Sequence, residues 1–134
     1  MQDALADVTV LIIEDDPDVA EMYRLRLIAD GYVVKLATDG REGLRVAIEE
    51  IPDFVYLDLR LPGLDGFEVL DRLRQSDATR DIPVIILSNF GDRELRKRGL
   101  NLGALEFLMK AETTPDQLSS VVWRSTRAEV HAIR

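Results

Sequence analysis

The fold prediction depends on the run Phe54-Val55-Tyr56-Leu57-Asp58. Four β-prone apolar residues end in a carboxylate, and residues 59–66 that follow contain Pro62, Gly63 and an Asp-Gly pair. This pattern predicts a buried strand with Asp58 at its C-terminal end, followed by a loop. An aspartate at such a junction also commonly starts a turn, so the run alone leaves a structural and a functional interpretation open.

The composition indicates one acidic globular domain. The 134 residues include 17 basic and 25 acidic side chains, and the formal net charge of -8 argues against non-specific binding to nucleic acid or to an anionic membrane. No apolar run approaches the roughly 20 residues of a membrane span, and no basic segment of a signal peptide opens the chain. We expect a single domain over residues 1–134, with a core over about 8–127, frayed termini and a cytoplasmic location.

Two residue types that often carry chemistry are scarce. The chain has no cysteine and one histidine, His131, close to its C-terminal end. This composition excludes disulfides, thiolate metal sites and multi-histidine metal sites. Any acid–base or metal chemistry must therefore use carboxylates.

Short apolar runs alternate with segments of helical spacing. The predicted strands cover residues 8–13, 32–36, 54–58, 83–87 and 105–109. Helices are expected to begin at Asp16, Asp39, Asp65, Asp92 and Thr114, the last in a capping box with Gln117. Met22 and Ile48 fall on the predicted apolar faces of the first two helices. The alternation predicts an α/β fold with a doubly wound parallel sheet and helices on both faces.

Polar side chains follow four of the five predicted strands. Glu14 and Asp15 follow the first strand, Asp58 ends the third, Ser88 follows the fourth and Lys110 follows the fifth. Because parallel strands end at one edge of the sheet, these side chains are expected to lie close together. Each alone is commonly a loop or capping residue, but the set predicts a functional site.

The three carboxylates of this set indicate a divalent cation. Crowded carboxylates take up protons unless positive charge compensates, and oxygen ligands suit Mg²⁺ or Mn²⁺ rather than Zn²⁺. A carboxylate beside such an ion can act as a nucleophile and form an acyl phosphate, with Lys110 and Ser88 contacting the phosphoryl oxygens. A structural ion pair from Lys110 to Asp58 or Asp15 is the alternative.

Four stretches of the chain carry a family resemblance. They are LIIEDDP at 11–17, YLDLRLPGLDG at 56–66, ILS at 86–88 and FLMK at 107–110. Together they resemble the receiver domain of bacterial response regulators, of the CheY-like superfamily, over roughly residues 8–127. The resemblance implies a flavodoxin-like (βα)5 sheet of strand order 2-1-3-4-5. It leaves open whether the receiver stands alone or belongs to a longer protein.

The resemblance implies a phosphorylation-switched signalling domain of a two-component His-to-Asp phosphorelay. Asp58 would accept a phosphoryl group from the phosphohistidine of a sensor histidine kinase or a phosphotransfer protein. Mg²⁺ (or Mn²⁺) would be bound by Asp15, Asp58 and the backbone carbonyl of Arg60, with Glu14 acting through water. Such a domain catalyses its own phosphorylation and a slow self-dephosphorylation but is not a turnover enzyme.

The resemblance also assigns switch and tuning residues. Ser88 and Lys110 would move toward the phosphoryl oxygens, and Phe107 stands where an aromatic side chain turns inward with the hydroxyl. Arg60 and Phe90 occupy positions that modulate dephosphorylation in this family. Both are bulky, so we expect them to screen the attacking water and to slow the loss of the phosphoryl group.

The segments after Ser88 and Lys110 depart from the family pattern. Receivers commonly follow the lysine with proline, often through a cis bond, whereas Lys110 precedes Ala111. A cis bond to a residue other than proline costs about 3 kcal/mol, so we expect a reshaped loop. Asn89 follows Ser88 where a small residue is usual, and it is expected to crowd the phosphoryl pocket.

The fourth helix presents a basic face in an acidic protein. Arg93, Arg96 and Lys97 lie at positions i, i+3 and i+4. A solvated face is the simplest interpretation. The alternative, implied by the resemblance, is a docking surface of helix 4, strand 5 and helix 5 for a downstream protein or for a homodimer. No direct contact with nucleic acid or membrane is expected.

Two other classes of function are weighed against a switched receiver. An aspartate-nucleophile phosphatase also uses aspartate and Mg²⁺ at a sheet edge. The nucleophile of such enzymes lies in an Asp-x-Asp motif whose second aspartate is the general acid, and in this chain Arg60 stands in place of that aspartate. A constitutive scaffold that is not phosphorylated would keep the fold without needing the complete set of strand-end residues. A nucleotide-binding protein is disfavoured because no glycine-rich phosphate loop follows the first strand.

Overall fold

A computed structural model describes residues 8–133 of the chain and the side chains as far as Thr126. The predicted fraying of the termini and the side chain of His131 lie outside these limits. The strands are β1 (Thr9–Ile13), β2 (Val33–Ala37), β3 (Phe54–Asp58), β4 (Val84–Ser88) and β5 (Glu106–Met109). The helices are α1 (Pro17–Ala29), α2 (Gly40–Glu50), α3 (Gly66–Gln75), α4 (Arg93–Asn101) and α5 (Pro115–Ile133).

The five strands form one parallel sheet in the order β2-β1-β3-β4-β5, as predicted. β1 and β3 are neighbours, and Ile13 pairs with Leu57. The residues that follow β1 therefore lie beside Asp58. β3 and β4 are buried along their whole length because they occupy the centre of the sheet and carry apolar side chains toward both faces.

Helices cover both faces of the sheet, each over its own apolar core. The core on one face includes Tyr23 and Leu27 of α1 with Leu118 and Val122 of α5. The core on the other face includes Ala47 of α2 with Phe67 and Leu70 of α3. α4 is held more loosely, and Gly99 is its one buried residue. None of the helices in the described part of the chain has the length and apolarity needed to span a bilayer.

The predicted helix starts are confirmed by capping hydrogen bonds. Asp16 accepts from the amides of Asp18 and Val19, with Pro17 at the first position of α1. Thr114 and Gln117 form the predicted reciprocal pair, with N···O distances of 2.8 and 3.2 Å. The remaining side-chain caps are Asp39, Asp65 and Asp92.

Some predicted element limits and apolar positions are wrong. All strands except β3 begin one residue later than predicted. Pro83, for example, has no N–H for the ladder, and its carbonyl accepts from the Val55 amide at 3.0 Å. Met22 and Ile48 are 43% and 45% exposed, and Val46 of α2, which was not predicted, is buried. Helical spacing fits more than one face of each helix, and packing on the sheet selects one of them.

α3 begins directly against the strand end that carries Asp58. The Gly66 amide donates to the carbonyl of Leu59 at 2.9 Å. A Cβ at Gly66 would lie 2.5 Å from the backbone oxygen of Asp58 and 2.8 Å from the Cα of Leu59. Only glycine permits this approach, which fixes α3 and its preceding loop relative to Asp58.

We therefore expect Gly66→Ala to lower the free energy of unfolding by about 1–3 kcal/mol, because the added methyl group meets backbone that cannot move aside. Urea denaturation measures this loss. Arg72→Ala, an exposed change in the same helix, is the matched control and should stay within about 0.5 kcal/mol of the unsubstituted protein. Equal stability of the two variants would contradict the close approach.

Candidate metal centre at the sheet edge

The C-terminal edge of the sheet holds a polar cavity of about 300 Å³. It lies where β1, β3 and β5 end, and it is covered on one side by the segment after β4. The side chains that line it are Glu14, Asp15, Asp16, Val19, Asp58, Arg60, Asn89, Phe90 and Lys110. The structure thus brings together most of the residues that the sequence predicted as a site, including Asn89.

Lys110 bridges two carboxylates at the base of the cavity. Its Nζ lies 2.6 Å from Glu14 Oε1 and 3.2 Å from Asp58 Oδ2. Of the two partners weighed from the sequence, Asp58 is confirmed. The predicted ion pair from Lys110 to Asp15 is wrong within the described residues. The Asp15 side chain is exposed, whereas that of Glu14 turns inward and pairs with Lys110 instead.

Glu14 is held by further hydrogen bonds that sequence reasoning missed. The Tyr56 hydroxyl donates to Oε1 at 2.6 Å, and the Asp16 amide donates to Oε2 at 3.1 Å. The Tyr56 ring packs against Tyr23, with centroids 5.4 Å apart. The available signal was the tyrosine itself, because a hydroxyl in a fully buried strand needs a partner.

Proton affinity at this site follows from burial and from the two adjacent carboxylates. Burial, followed by the contact with Glu14, raises the pKa of Asp58 to about 7, although Lys110 opposes the change. Burial also acts to raise the pKa of Glu14, but hydrogen bonds led by those of Lys110 and Tyr56 outweigh it and lower that pKa. Burial disfavours the charged Lys110, yet the two carboxylates raise its pKa. Of the two carboxyl groups, Glu14 therefore favours the ionised form, and Asp58 binds a proton more readily than an ordinary aspartate.

The three carboxylates are arranged as a cation would require. One oxygen from each of Glu14, Asp15 and Asp58 lies within 4.8 Å of the others. Two of these side chains are buried, while Asp15 is open to solvent and gives access to the cluster. An all-oxygen, anionic set of this size suits a hard divalent cation, which would relieve the repulsion between carboxylates.

Ser88 and Phe107 lie behind the cavity rather than on its wall. Ser88 is 1% exposed, and its Oγ accepts from the Phe90 amide at 3.0 Å. It stands on β4 one residue beyond Leu87, which pairs with Asp58. Phe107 is buried beneath α4, where a Cβ at Gly99 would lie 3.2 Å from its ring.

Arg60 and Phe90 form one unit at the mouth of the cavity. The Arg60 guanidinium carbon lies 4.3 Å from the centroid of the Phe90 ring, a cation–π contact. The Arg60 amide also donates to Asp58 Oδ1 at 3.2 Å. This pairing of two side chains from different loops was not predicted, because spacing in the sequence does not show which loop residues stack.

The loop after Lys110 replaces the usual proline turn. Lys110–Glu112 form one turn of 3-10 helix, and no cis peptide bond occurs in the described part of the chain. Thr113 Oγ1 donates to the Met109 carbonyl at 2.8 Å, and the Tyr23 hydroxyl donates to the Thr113 carbonyl at 2.6 Å. The predicted reshaping of this loop is confirmed, and α1 anchors it.

A family model for the response regulator receiver domain matches residues 10–122. The DNA-binding dual master transcriptional regulator RpaA of Synechocystis sp. is 38% identical over 112 residues, which are 84% of this chain and 46% of RpaA. The matched part of the chain therefore spans less than half the length of that relative.

Solved structures of similar proteins share the fold. The receiver domain of Francisella response regulator 1452 is 28% identical, with a TM-score of 0.85 over 92% of this chain and 99% of that one. The chemotaxis response regulator CheY4 of Vibrio cholerae is also 28% identical, with a TM-score of 0.81 over 88% and 98%.

The raised pKa of Asp58 gives a stability prediction with a definite sign. Because the folded protein holds this proton and the unfolded chain releases it near pH 4, folding loses stability as pH rises from about 4 to about 7. Asp58→Asn removes this loss. In EDTA, we expect the free energy of unfolding of the variant to rise by on the order of 2 kcal/mol relative to that of the unsubstituted protein as the pH increases across that interval.

Urea denaturation at a series of pH values measures this difference. Asp77→Asn, which changes an aspartate with a 97% exposed side chain outside the cluster, is the matched control and should show a smaller change over the same interval. Parallel pH profiles for Asp58→Asn and the unsubstituted protein would contradict the raised pKa.

Proposed function

This chain belongs to the response regulator receiver domain family, and we propose that it is a phosphorylation-switched signalling receiver whose phosphoryl acceptor is Asp58. Receivers of this family are phospho-acceptor signalling domains rather than turnover enzymes. The observation that carries the proposal is the Lys110 bridge between Glu14 and Asp58, beside the exposed Asp15 in one cavity. The donor would be the phosphohistidine of a sensor kinase or phosphotransfer protein, and the cytoplasmic location stays a prediction.

We propose Mg²⁺ as the cation, with Mn²⁺ as its substitute. Asp15 and Asp58 would bind it directly, together with the backbone carbonyl of Arg60. Both oxygens of Glu14 already accept hydrogen bonds, which supports a contact through water for that residue. When bound, the ion would supply positive charge that favours the ionised form of Asp58.

The chemistry proposed for Asp58 is a nucleophilic substitution at phosphorus. One carboxylate oxygen forms a bond to phosphorus while the bond from phosphorus to the donor imidazole nitrogen breaks, and the electron pair of that bond stays on the imidazole. The proton on Asp58 must first pass to solvent, which reaches the cluster beside the exposed Asp15. Lys110 then lies within reach of the phosphoryl oxygens and can balance their charge.

Ser88 and Phe107 are proposed as the switch. The Phe90 amide occupies one lone pair of the Ser88 oxygen, so the hydroxyl proton is available for a phosphoryl oxygen. A shift of Ser88 toward that oxygen would release the Phe90 amide and move the segment before α4. Phe107 has no hydroxyl, so its part in the switch depends on packing beneath α4.

Intact-mass spectrometry with acetyl phosphate and Mg²⁺ tests the proposed function. We expect the gain of one phosphoryl group, its loss in EDTA and its loss in Asp58→Ala. Asp77→Ala, which changes an aspartate with a 97% exposed side chain, is the matched control and should gain the group normally. No uptake from acetyl phosphate or from phosphorylated kinases would refute the switch and favour a constitutive scaffold.

The Arg60–Phe90 contact predicts slow self-dephosphorylation, because the stacked side chains restrict the approach of water to Asp58. Arg60→Ala and Phe90→Ala should each speed the loss of the phosphoryl group about three- to tenfold, as expected for removal of a contact of about 1 kcal/mol. The decay of phosphorylated mass after removal of the donor measures the rate.

A double variant distinguishes a shared barrier from two separate ones. If the two side chains act as a unit, the double variant Arg60→Ala/Phe90→Ala should lose its phosphoryl group at most about twice as fast as the faster single variant. Unchanged decay in both single variants, or phosphoryl loss within seconds in the unsubstituted protein, would contradict this account.

A further inference from the structure

Glu14 depends on a small set of hydrogen-bond donors. Its side chain has no exposed surface, so water cannot readily replace a donor that leaves. Within the described part of the chain, Lys110 Nζ and the Tyr56 hydroxyl each lie 2.6 Å from its Oε1, and the Asp16 amide lies 3.1 Å from its Oε2. Two donors therefore share one oxygen of this carboxylate, which has lone pairs for both.

The proposed function requires the ammonium group of Lys110 to serve a second anion. Its Nζ already lies 3.2 Å from Asp58 Oδ2, and it would turn to the phosphoryl oxygens once that group is bound to Asp58. A phosphoryl group carries about two negative charges, so it competes with Glu14 for this one ammonium group. Any shift of Lys110 toward the phosphoryl oxygens therefore withdraws a donor from Glu14.

The Tyr56 hydroxyl is placed to reduce the cost of that withdrawal. A buried carboxylate that loses its donors is strongly destabilised. Asp58 also contacts Glu14, but through a proton that its phosphorylated form lacks. Once Lys110 has turned away, the Tyr56 hydroxyl is therefore the donor that remains on Oε1 among the described residues.

Contacts with the core, and not with Lys110, hold the Tyr56 hydroxyl at Glu14. Tyr56 is fully buried in β3, and its ring packs against that of Tyr23 with centroids 5.4 Å apart. The Tyr23 hydroxyl has a different acceptor, because it donates to the Thr113 carbonyl at 2.6 Å. A movement of the Lys110 ammonium group leaves these contacts intact, so the Tyr56 donor stays in place.

The backbone of Lys110 is also fixed, which leaves its side chain as the part that moves. The Thr113 amide donates to the Lys110 carbonyl at 3.3 Å, and Thr113 Oγ1 donates to the Met109 carbonyl at 2.8 Å. The Tyr23 hydroxyl anchors the same loop to α1. An ammonium group on a flexible four-carbon stem can exchange one partner for another while this loop stays where it is.

We propose that Tyr56 is a positioning residue of the switch, whose hydroxyl retains Glu14 when Lys110 moves from Glu14 to the phosphoryl oxygens on Asp58. The proposal rests on the proposed function, which supplies the phosphoryl group. A purely structural role, in which Tyr56 only satisfies its own hydroxyl, gives a different expectation. In that case the loss of Lys110 would cost the same with and without the hydroxyl.

Urea denaturation in EDTA at pH 8 tests this dependence without phosphorylation. All proteins carry Asp58→Ala, which removes the other side chain in contact with Glu14. Lys110→Met imitates the departure of the ammonium group. With Tyr56→Phe added, the loss in free energy of unfolding should exceed the sum of the two separate losses, because Oε1 then loses both donors. Tyr32→Phe, in the same core, is the matched control and should be additive with Lys110→Met.

Intact mass during treatment with acetyl phosphate and Mg²⁺ tests the consequence for the switch. Tyr56→Phe should gain the phosphoryl group about three- to tenfold more slowly, because Lys110 then leaves Glu14 without a donor on Oε1. Tyr32→Phe should match the unsubstituted protein. In a Glu14→Gln background, Tyr56→Phe should change the rate less than about twofold, because the buried charge that it retains is gone.

Three outcomes would overturn the role of Tyr56: additive losses for Tyr56→Phe and Lys110→Met, equal uptake by Tyr56→Phe and Tyr32→Phe, or a slowing by Tyr56→Phe that persists undiminished with Glu14→Gln. Each leaves the proposed function intact if the unsubstituted chain gains its phosphoryl group. No uptake by the unsubstituted chain refutes the proposed function instead, and the denaturation series still decides whether the Tyr56 hydroxyl retains Glu14.

Discussion

The site depends on one ammonium group placed between two buried carboxylates. Lys110 neutralises only part of the charge of Glu14 and Asp58, and burial together with Glu14 raises the pKa of Asp58 to about 7. The remaining negative charge makes the cluster attractive to a cation and relates the protonation of Asp58 to cation binding.

The fold supplies the constraint that keeps the carboxylates together despite their repulsion. Asp58 ends a strand buried on both faces, Glu14 follows the neighbouring strand, and Lys110 follows the last strand. Each is fixed by contacts that belong to the scaffold. α3 begins against the backbone of Asp58, Tyr56 holds Glu14 from within the sheet, and Tyr23 of α1 anchors the loop after Lys110.

Much of this arrangement could be predicted from the chain. The spacing of apolar residues, with the turn and capping residues between the runs, predicted five strands, five helices and the caps. The family resemblance predicted the strand order that sets Glu14 beside Asp58. The choice of partner for Lys110 was less accessible, because Glu14 and Asp15 are adjacent and only tertiary packing decides which one turns inward. The Arg60–Phe90 stack and the Tyr56 hydrogen bond join distant segments, so local sequence could not show them. Met22 and Ile48 were misplaced for a related reason, since a short helix can offer more than one apolar face.

We propose that positive charge at this cluster controls the proton on Asp58. Carbon-13 NMR of the aspartate side-chain carboxyls, with Asp58 assigned by its absence in Asp58→Asn, measures that proton directly. We expect a pKa of about 7 for Asp58 in EDTA and a lower pKa when Mg²⁺ is added. A pKa near the ordinary value of 3.8 in EDTA, unchanged by Mg²⁺, would contradict the account.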